Sequence, residues 1–203
     1  MKKALSLLLA AAMLFTLSAC GEEEPELKVG TVSEGRYENE FFGIGCEPGE
    51  DWAIADEKEL LELAGITREY LGEDFAESVK DEELFFDFYA ERSDGLRTIN
   101  IVIHDLGKLG RAAELDFILD QQLEGLAAEF EGTDFQNMYA ERNRVLFAGE
   151  LREGAWISCE LFGTPLYEQQ VYLKVGRYLA TITLASFREE DTVALAELFY
   201  PLG

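Results

Sequence analysis

The sequence predicts an α+β fold, an antiparallel β-sheet flanked by helices, and three observations carry that expectation. Residues 134–185 divide into apolar, alternating runs joined by short links containing Gly149, Gly154, Gly163 and Gly176, the pattern of an antiparallel meander. Leu115, Leu119, Leu123, Leu126 and Phe130 recur at gaps of four, four, three and four, one helical stripe fit to cover a sheet face. A capping-box spacing opens a helix near each end of the domain, at Asp56 to Glu59 and at Ser186 to Glu189.

The elements follow in order. Lys2 and Lys3 precede an apolar run from Ala4 to Leu17 that ends in Leu17-Ser18-Ala19-Cys20. Charge, apolar stretch and small residues are those of a secretory signal peptide, and the run is too short to span a bilayer as a helix. With Cys20 in last place, the motif resembles the lipobox of bacterial lipoproteins. The resemblance covers residues 1–20. It implies cleavage before Cys20 and lipid, diacylglyceryl and palmitate, on that residue. A plain signal peptide with an incidental cysteine is the alternative. Expected boundaries are a signal peptide over 1–19, a lipidated, acidic tether over 20–34 and one domain over 35–203. The tether (GEEEPELKVGTV from Gly21) has too little apolar surface to offset its ordering entropy, and its like charges keep it extended.

Arg36 to Glu47 reads as a first strand or a bent pair, closed by the turn Pro48-Gly49-Glu50-Asp51. Asp56 caps a short helix whose Leu60, Leu61 and Leu63 are expected to face inward, with Gly65 as its stop. Residues 66–82 are expected to hold a second short helix. Leu84 to Glu91 and Leu96 to Asp105 form a hairpin around Ser93-Asp94-Gly95, with Ile99, Ile101 and Ile103 on one face. A single helix is predicted from about Gly110 to Phe130. Five strands follow, near 134–141, 144–148, 155–162, 167–175 and 178–185. A last helix carries Val193, Leu195, Ala196, Leu198 and Phe199 and halts at Pro201. The tetrapeptide Tyr-Ala-Glu-Arg occurs at residues 89–92 and 139–142 as two strand ends of similar composition.

Tyr37, Asn39, Phe41, Phe42, Gly43 and Ile44, followed by Trp52, resemble the opening of PsbP-like domains. Gly176-Arg177-Tyr178 with Ile182 to Ser186 resembles their end. The resemblance spans roughly residues 36–200 and concerns architecture. It implies an antiparallel sheet between helices, and it carries no catalytic residues across. The fold hosts photosystem accessory proteins and small binding modules, which favours a non-enzyme by analogy.

Little in the chain points to catalysis. With 41 acidic against 17 basic residues and a net charge of −24, it lacks the basic footprint that nucleic acid requires. His104 is the single histidine, and on its strand it points away from Asp105, the acid beside it, so a triad is not expected. Ser158 lacks a nucleophile elbow. One histidine and two distant cysteines do not make a zinc site, and the acid pairs Glu82-Glu83 and Glu189-Glu190 are unremarkable among so many carboxylates. Gly107-Lys108-Leu109-Gly110 before a helix lacks the phosphate-loop spacing and reads as a turn. Cys46 and Cys159 face inward on strands and are either a disulfide or two buried thiols. Some of Tyr37, Tyr89, Tyr139, Tyr167, Tyr172 and Tyr178 are expected to surface as a contact face.

No catalytic, cofactor or metal residues are therefore assigned. The expectation is a bacterial envelope lipoprotein, held on the extracytoplasmic side of the membrane through Cys20, with a non-catalytic domain for an envelope protein or a small ligand. A hydrolase using paired carboxylates and a weak divalent-cation sensor are the other readings.

Overall fold

The computed structural model describes residues 25–63, 84–129 and 134–203. It is an α+β fold built on two antiparallel sheets. The larger has seven strands in the order β4-β5-β6-β10-β9-β8-β7: β4 (Trp52–Ile54), β5 (Leu84–Arg92), β6 (Arg97–Asp105), β7 (Phe135–Phe147), β8 (Glu150–Leu161), β9 (Thr164–Val175) and β10 (Tyr178–Ser186). The smaller has four, in the order β1-β2-β3-β11: β1 (Thr31–Ser33), β2 (Arg36–Asn39), β3 (Ile44–Cys46) and β11 (Phe199–Pro201). The helices are α1 over 57–63, α2 (Gly107–Ala112), α3 (Leu115–Glu129) and α4 (Asp191–Ala196).

Strand alternation sends two sets of side chains to two different covers. Ile99, Ile101 and Ile103 of β6 join Ala180, Ile182 and Leu184 of β10, all fully buried. They pack under Tyr37, Ile44 and Cys46 of the small sheet and Leu195 of α4. Each such isoleucine is worth about 1.5–3 kcal/mol of burial. On the opposite face, Ala155, Tyr172 and Leu179 meet Leu119 of α3, flanked by Leu115, Ile118 and Leu123. The predicted stripe thus covers the sheet, as far as Phe130, which lies outside the described residues together with Gly65 and 66–82. Arg142 of β7 bonds Asp116 and Asp120 of α3 and Glu153 of β8, fastening the helix to the strands.

The smaller sheet is joined to the larger by a buried polar knot. A bulge between Phe86 and Phe88 in β5 accompanies a turn of the Asp87 carboxylate toward β2. Asp87 accepts from Gly30 N at 2.8 Å, from the Tyr37 hydroxyl at 2.5 Å and from Asn39 Nδ2 at 2.8 Å. Asn39 Oδ1 in turn accepts from Phe42 N at 3.0 Å. Burial and the neighbouring Asp87 charge push the Tyr37 phenol far above its ordinary pKa.

Several expectations are corrected. The fold begins before residue 35: Leu27 packs on the main core, Gly30 bonds Asp87 and Thr31–Ser33 form β1. The 110–130 helix is two helices, because Ala113 is extended at ψ 134°. Lys174 Nζ, donating to Arg111 O at 3.1 Å, completes the end of the first. The strands expected at 134–141 and 144–148 are one, β7, and the next starts at Glu150. The hairpins turn on positive-φ pairs, Ala148-Gly149 and Phe162-Gly163. Gly154 is no link but lies inside β8, where a Cβ would stand 2.6 Å from Gln170 O.

Asp56 and Glu59 do form the reciprocal capping box, at 2.8 and 2.9 Å. Ser186 does not: its hydroxyl accepts from Arg188 N and donates to Asp191 Oδ2, both at 3.0 Å, and α4 starts only at Asp191. Phe199 belongs to β11 rather than to the last helix. Leu61, expected to face inward, is exposed, and so is Val193 on the last helix.

Candidate functional site

The residues singled out in the sequence do not come together. Cys20, Glu82 and Glu83 lie outside the described residues. Cys46 and Cys159 are free and buried. They belong to different clusters, Cys46 between the two sheets and Cys159 with Leu166 and Ala185 on the other face of the large sheet. With the sheet between them no bridge forms. Burial raises both thiols, Cys159 to about 11 with help from the Glu168 charge, so neither is a ready nucleophile. His104 sits opposite Leu179 on the α3 face, and burial pushes its pKa down to about 4. Glu168, on that same face, is raised by burial against a weaker lowering bond from Gln170. Among the described residues no three His, Cys, Asp or Glu side chains gather as a metal set. Of the tyrosines, Tyr37 and Tyr172 are core, and Tyr139 is exposed.

Two clefts among the described residues, each gathering more than one basic side chain, lie at opposite ends of the central strands. The first, about 460 Å³, lies where β5 turns into β6 and includes Trp52, Arg92, Arg97 and Asp191. Its arginines are consumed by acids. Arg97 Nη1 holds Asp94 at 2.5 Å and its Nε holds Asp191 at 2.8 Å. Burial alone would raise the Asp191 carboxyl, but the Arg97 and Ser186 bonds outweigh it and hold the group below the usual carboxylate range. This cleft is a structural clasp between the hairpin and α4.

The second, about 380 Å³, is made by the backbone itself. β8 and β9 pair from Leu161↔Thr164 to Gly154↔Val171 and then part. Beyond that point residues 150–153 pair with β7, and residues 172–175 pair with β10. The parting has a local cause. Gln169 and Asn143 exchange amide hydrogen bonds at 2.7 and 3.0 Å beside Gly154, and the second proton of Gln169 Nε2 is shared between Gln170 O and Ala155 O. Further out, Phe147 turns inward onto Phe199, ring centroids 4.5 Å apart, drawing the β7–β8 tip toward the small sheet.

Phe42, Leu173 and Val175 line the wedge with Leu115 and Leu151, and Arg144, Arg152 and Lys174 enter it. Its one lining carboxylate, Glu153, is already held by Arg142 at 3.1 Å and Arg144 at 3.0 Å. Arg152 reaches Glu150 through Nη2 at 2.7 Å, while its buried Nε has no hydrogen-bond partner. Lys174 gives its protons to two backbone carbonyls, of Arg111 and Gly176, and burial lowers its pKa. In a chain this acidic, three cations around one cleft are a local inversion of charge. Sequence reading missed it because the three are scattered over β7, β8 and β9. The sequence hint was Arg144 and Arg152, flanking a turn of positive-φ residues.

No protein-family model matches this chain, and no curated protein sequence does. Solved structures similar to it include the following two. One is a Pseudomonas aeruginosa protein of unknown function, PA94, at 17% identity and TM-score 0.34, covering 52% of this chain and 67% of that one. Another is LpqN of Mycobacterium tuberculosis, described as involved in cell envelope biogenesis, at 10% identity and TM-score 0.41, covering 79% of this chain and 83% of that one. Likeness at that level does not say what this chain does.

Proposed function

We propose that this chain is a lipid-anchored protein of the bacterial envelope, facing the extracytoplasmic side, whose folded domain binds a target without turning it over. The observation that carries the reading is the ending Leu17-Ser18-Ala19-Cys20 behind a lysine-led apolar run. Cleavage before Cys20 and acylation of that residue replace a spanning helix with lipid, and more than one chain is needed for stable anchoring. The acidic segment from Gly21 then keeps the domain in water, away from an anionic leaflet.

The binding half of the reading has support in the chemistry at hand. His104 lies in a setting that keeps it neutral, both described thiols are raised, and the two clefts hold ion pairs or cations rather than a nucleophile with its base. Metabolic labelling with an alkynyl palmitate tests the anchor. The wild-type protein is expected to take the label and fractionate with membranes, and Cys20→Ser to lose both. Label retained in Cys20→Ser would overturn it. Crosslinking of the anchored protein in its own cells, followed by mass spectrometry, tests for a protein target.

A further inference from the structure

We propose that the wedge between β8 and β9 is a binding site for a small amphiphilic anion, a carboxylate or phosphate on an apolar body, held between Arg152, Lys174 and the Phe42–Leu173 floor. The inference rests on the binding reading of the domain and not on the lipid anchor. Its basis is a mismatch between what the wedge holds and what its own residues use.

The charge comes first. Three cations meet one lining carboxylate, already held by Arg142 and Arg144, and only Arg152 has a further acid, Glu150, just outside the cleft. At the other cleft Arg97 holds two acids at close range, Asp94 and Asp191, with Arg92 farther from Asp94 at 3.9 Å. A surplus of positive charge in a partly desolvated place is costly unless an anion offsets it. Arg152 Nε, buried without a partner, is the most specific sign, since buried side-chain donors are ordinarily paired. A guanidinium so placed keeps Nε for a carboxylate or phosphate oxygen, while Nη2 is already on Glu150. Lys174 would add a point charge from the next strand.

The floor decides the rest of the ligand. A free inorganic anion would leave the half-buried Leu115 and Val175 and the exposed Leu151 facing water. An apolar body attached to the anion covers them, and a cleft of about 380 Å³ falls in the ordinary range for small-ligand sites. Leu151, which lines the wedge, pairs across the strands with Leu146, and both are exposed. They form an apolar lip at the mouth.

Calorimetry on the full mature protein in a nonionic maltoside tests this, with protein-free micelles as blank. The probes are 1-naphthoate, 1-naphthyl phosphate and the uncharged 1-naphthalenemethanol. Saturable one-to-one binding of the two anions, at least tenfold tighter than the alcohol, is expected. Arg152→Gln and Lys174→Gln should each weaken the anions about tenfold. The more exposed Arg144→Glu should weaken them severalfold without unfolding risk, and Arg36→Gln on β2 should change nothing. Displacement by dihexanoylphosphatidylglycerol would identify a lipid headgroup as the source of the anion, and failure to displace would identify a free one; both support the site. Equal binding of the alcohol, binding indifferent to the three wedge variants, or no binding of either anion overturns the proposal. If the wedge rejects both anions while crosslinking still recovers an envelope protein, this inference falls and the binding reading stands.

Discussion

Arg97 and Arg152 belong to clefts of similar size at opposite ends of the central sheet, and the chain treats them in opposite ways. Arg97 is nearly enclosed, 12% exposed, with Asp94 and Asp191 on two of its nitrogens. Arg152 is half-exposed, has one acid at its tip, and keeps a buried Nε with nothing to bond. The first arrangement is what a protein does with an arginine that holds its fold together. The second is what it does with one that is kept for something else. The pairing of each guanidinium thus sets the structural clasp apart from the candidate site.

The largest effect is expected at the clasp. Arg97→Met leaves Asp191 mostly buried and charged beside Ser186. Breaking a buried pair from one side costs about 3–5 kcal/mol, read as a lower midpoint in urea. Asp191→Asn should cost less, and the double variant less than the sum of the two, because the partners are coupled. The pH dependence has a definite sign. The Asp191 pKa is depressed in the fold, so its contribution is present above the unfolded value of about 3.9 and is lost as pH falls through the folded one. Wild type and Asp191→Asn should therefore converge in stability in strong acid. Parallel curves would mean that Arg97 does not depend on this acid.

A second effect lies on the strand between the two clefts. His104 has a folded pKa near 4 against an ordinary 6.5. Between those values the unfolded chain binds the proton and the folded one does not. Stability therefore rises with pH across that window, by up to about 3 kcal/mol. His104→Leu should flatten that part of the curve relative to wild type. The same slope in both proteins would assign the dependence to the carboxylates instead.

The apex of the wedge comes next. Gly154→Ala puts a methyl group 2.6 Å from Gln170 O and 2.9 Å from the Asn143 and Gln169 amides, and overpacking of this kind costs about 1–3 kcal/mol. Thermal melts measure it. An unchanged melting temperature would show that the strands part for another reason, and would weaken the account of how the cleft is built.

How legible all this was depends on the range of the interaction. Ile99, Ile101 and Ile103 announce their face by period two, and Leu115 to Leu126 by the helical period, because both patterns are local. The Asp56–Glu59 box spans three residues and was readable for the same reason. The second sheet was not: its strands are three or four residues long, too short to show a period, and β3 pairs with β11 across most of the chain. Asp87 looked like a polar interruption in an aromatic strand, since its partners lie some fifty residues away. Gly154 looked like a turn because glycine marks turns more often than close approaches. The anchor motif at Cys20 was readable because it is contiguous. The wedge was not, because its cations come from three strands and only the parting of β8 from β9 brings them round one space.

The smallest expected effect is the most telling for the comparison. If Arg152 were structural, removing it would cost what Arg97 costs. Its half-exposed bond to Glu150 is worth about 0–1 kcal/mol, and its unpaired Nε carries a desolvation penalty that Gln would not. Arg152→Gln should therefore leave the urea midpoint within about 0.5 kcal/mol of wild type, or raise it slightly. A loss near that of Arg97→Met would mean that the guanidinium holds the β7–β8 tip in place. The two clefts would then be two clasps, and the surplus of charge in the wedge would belong to the fold. A neutral result leaves an arginine, at a site ringed by cations in an acidic protein, whose retention the fold itself does not require.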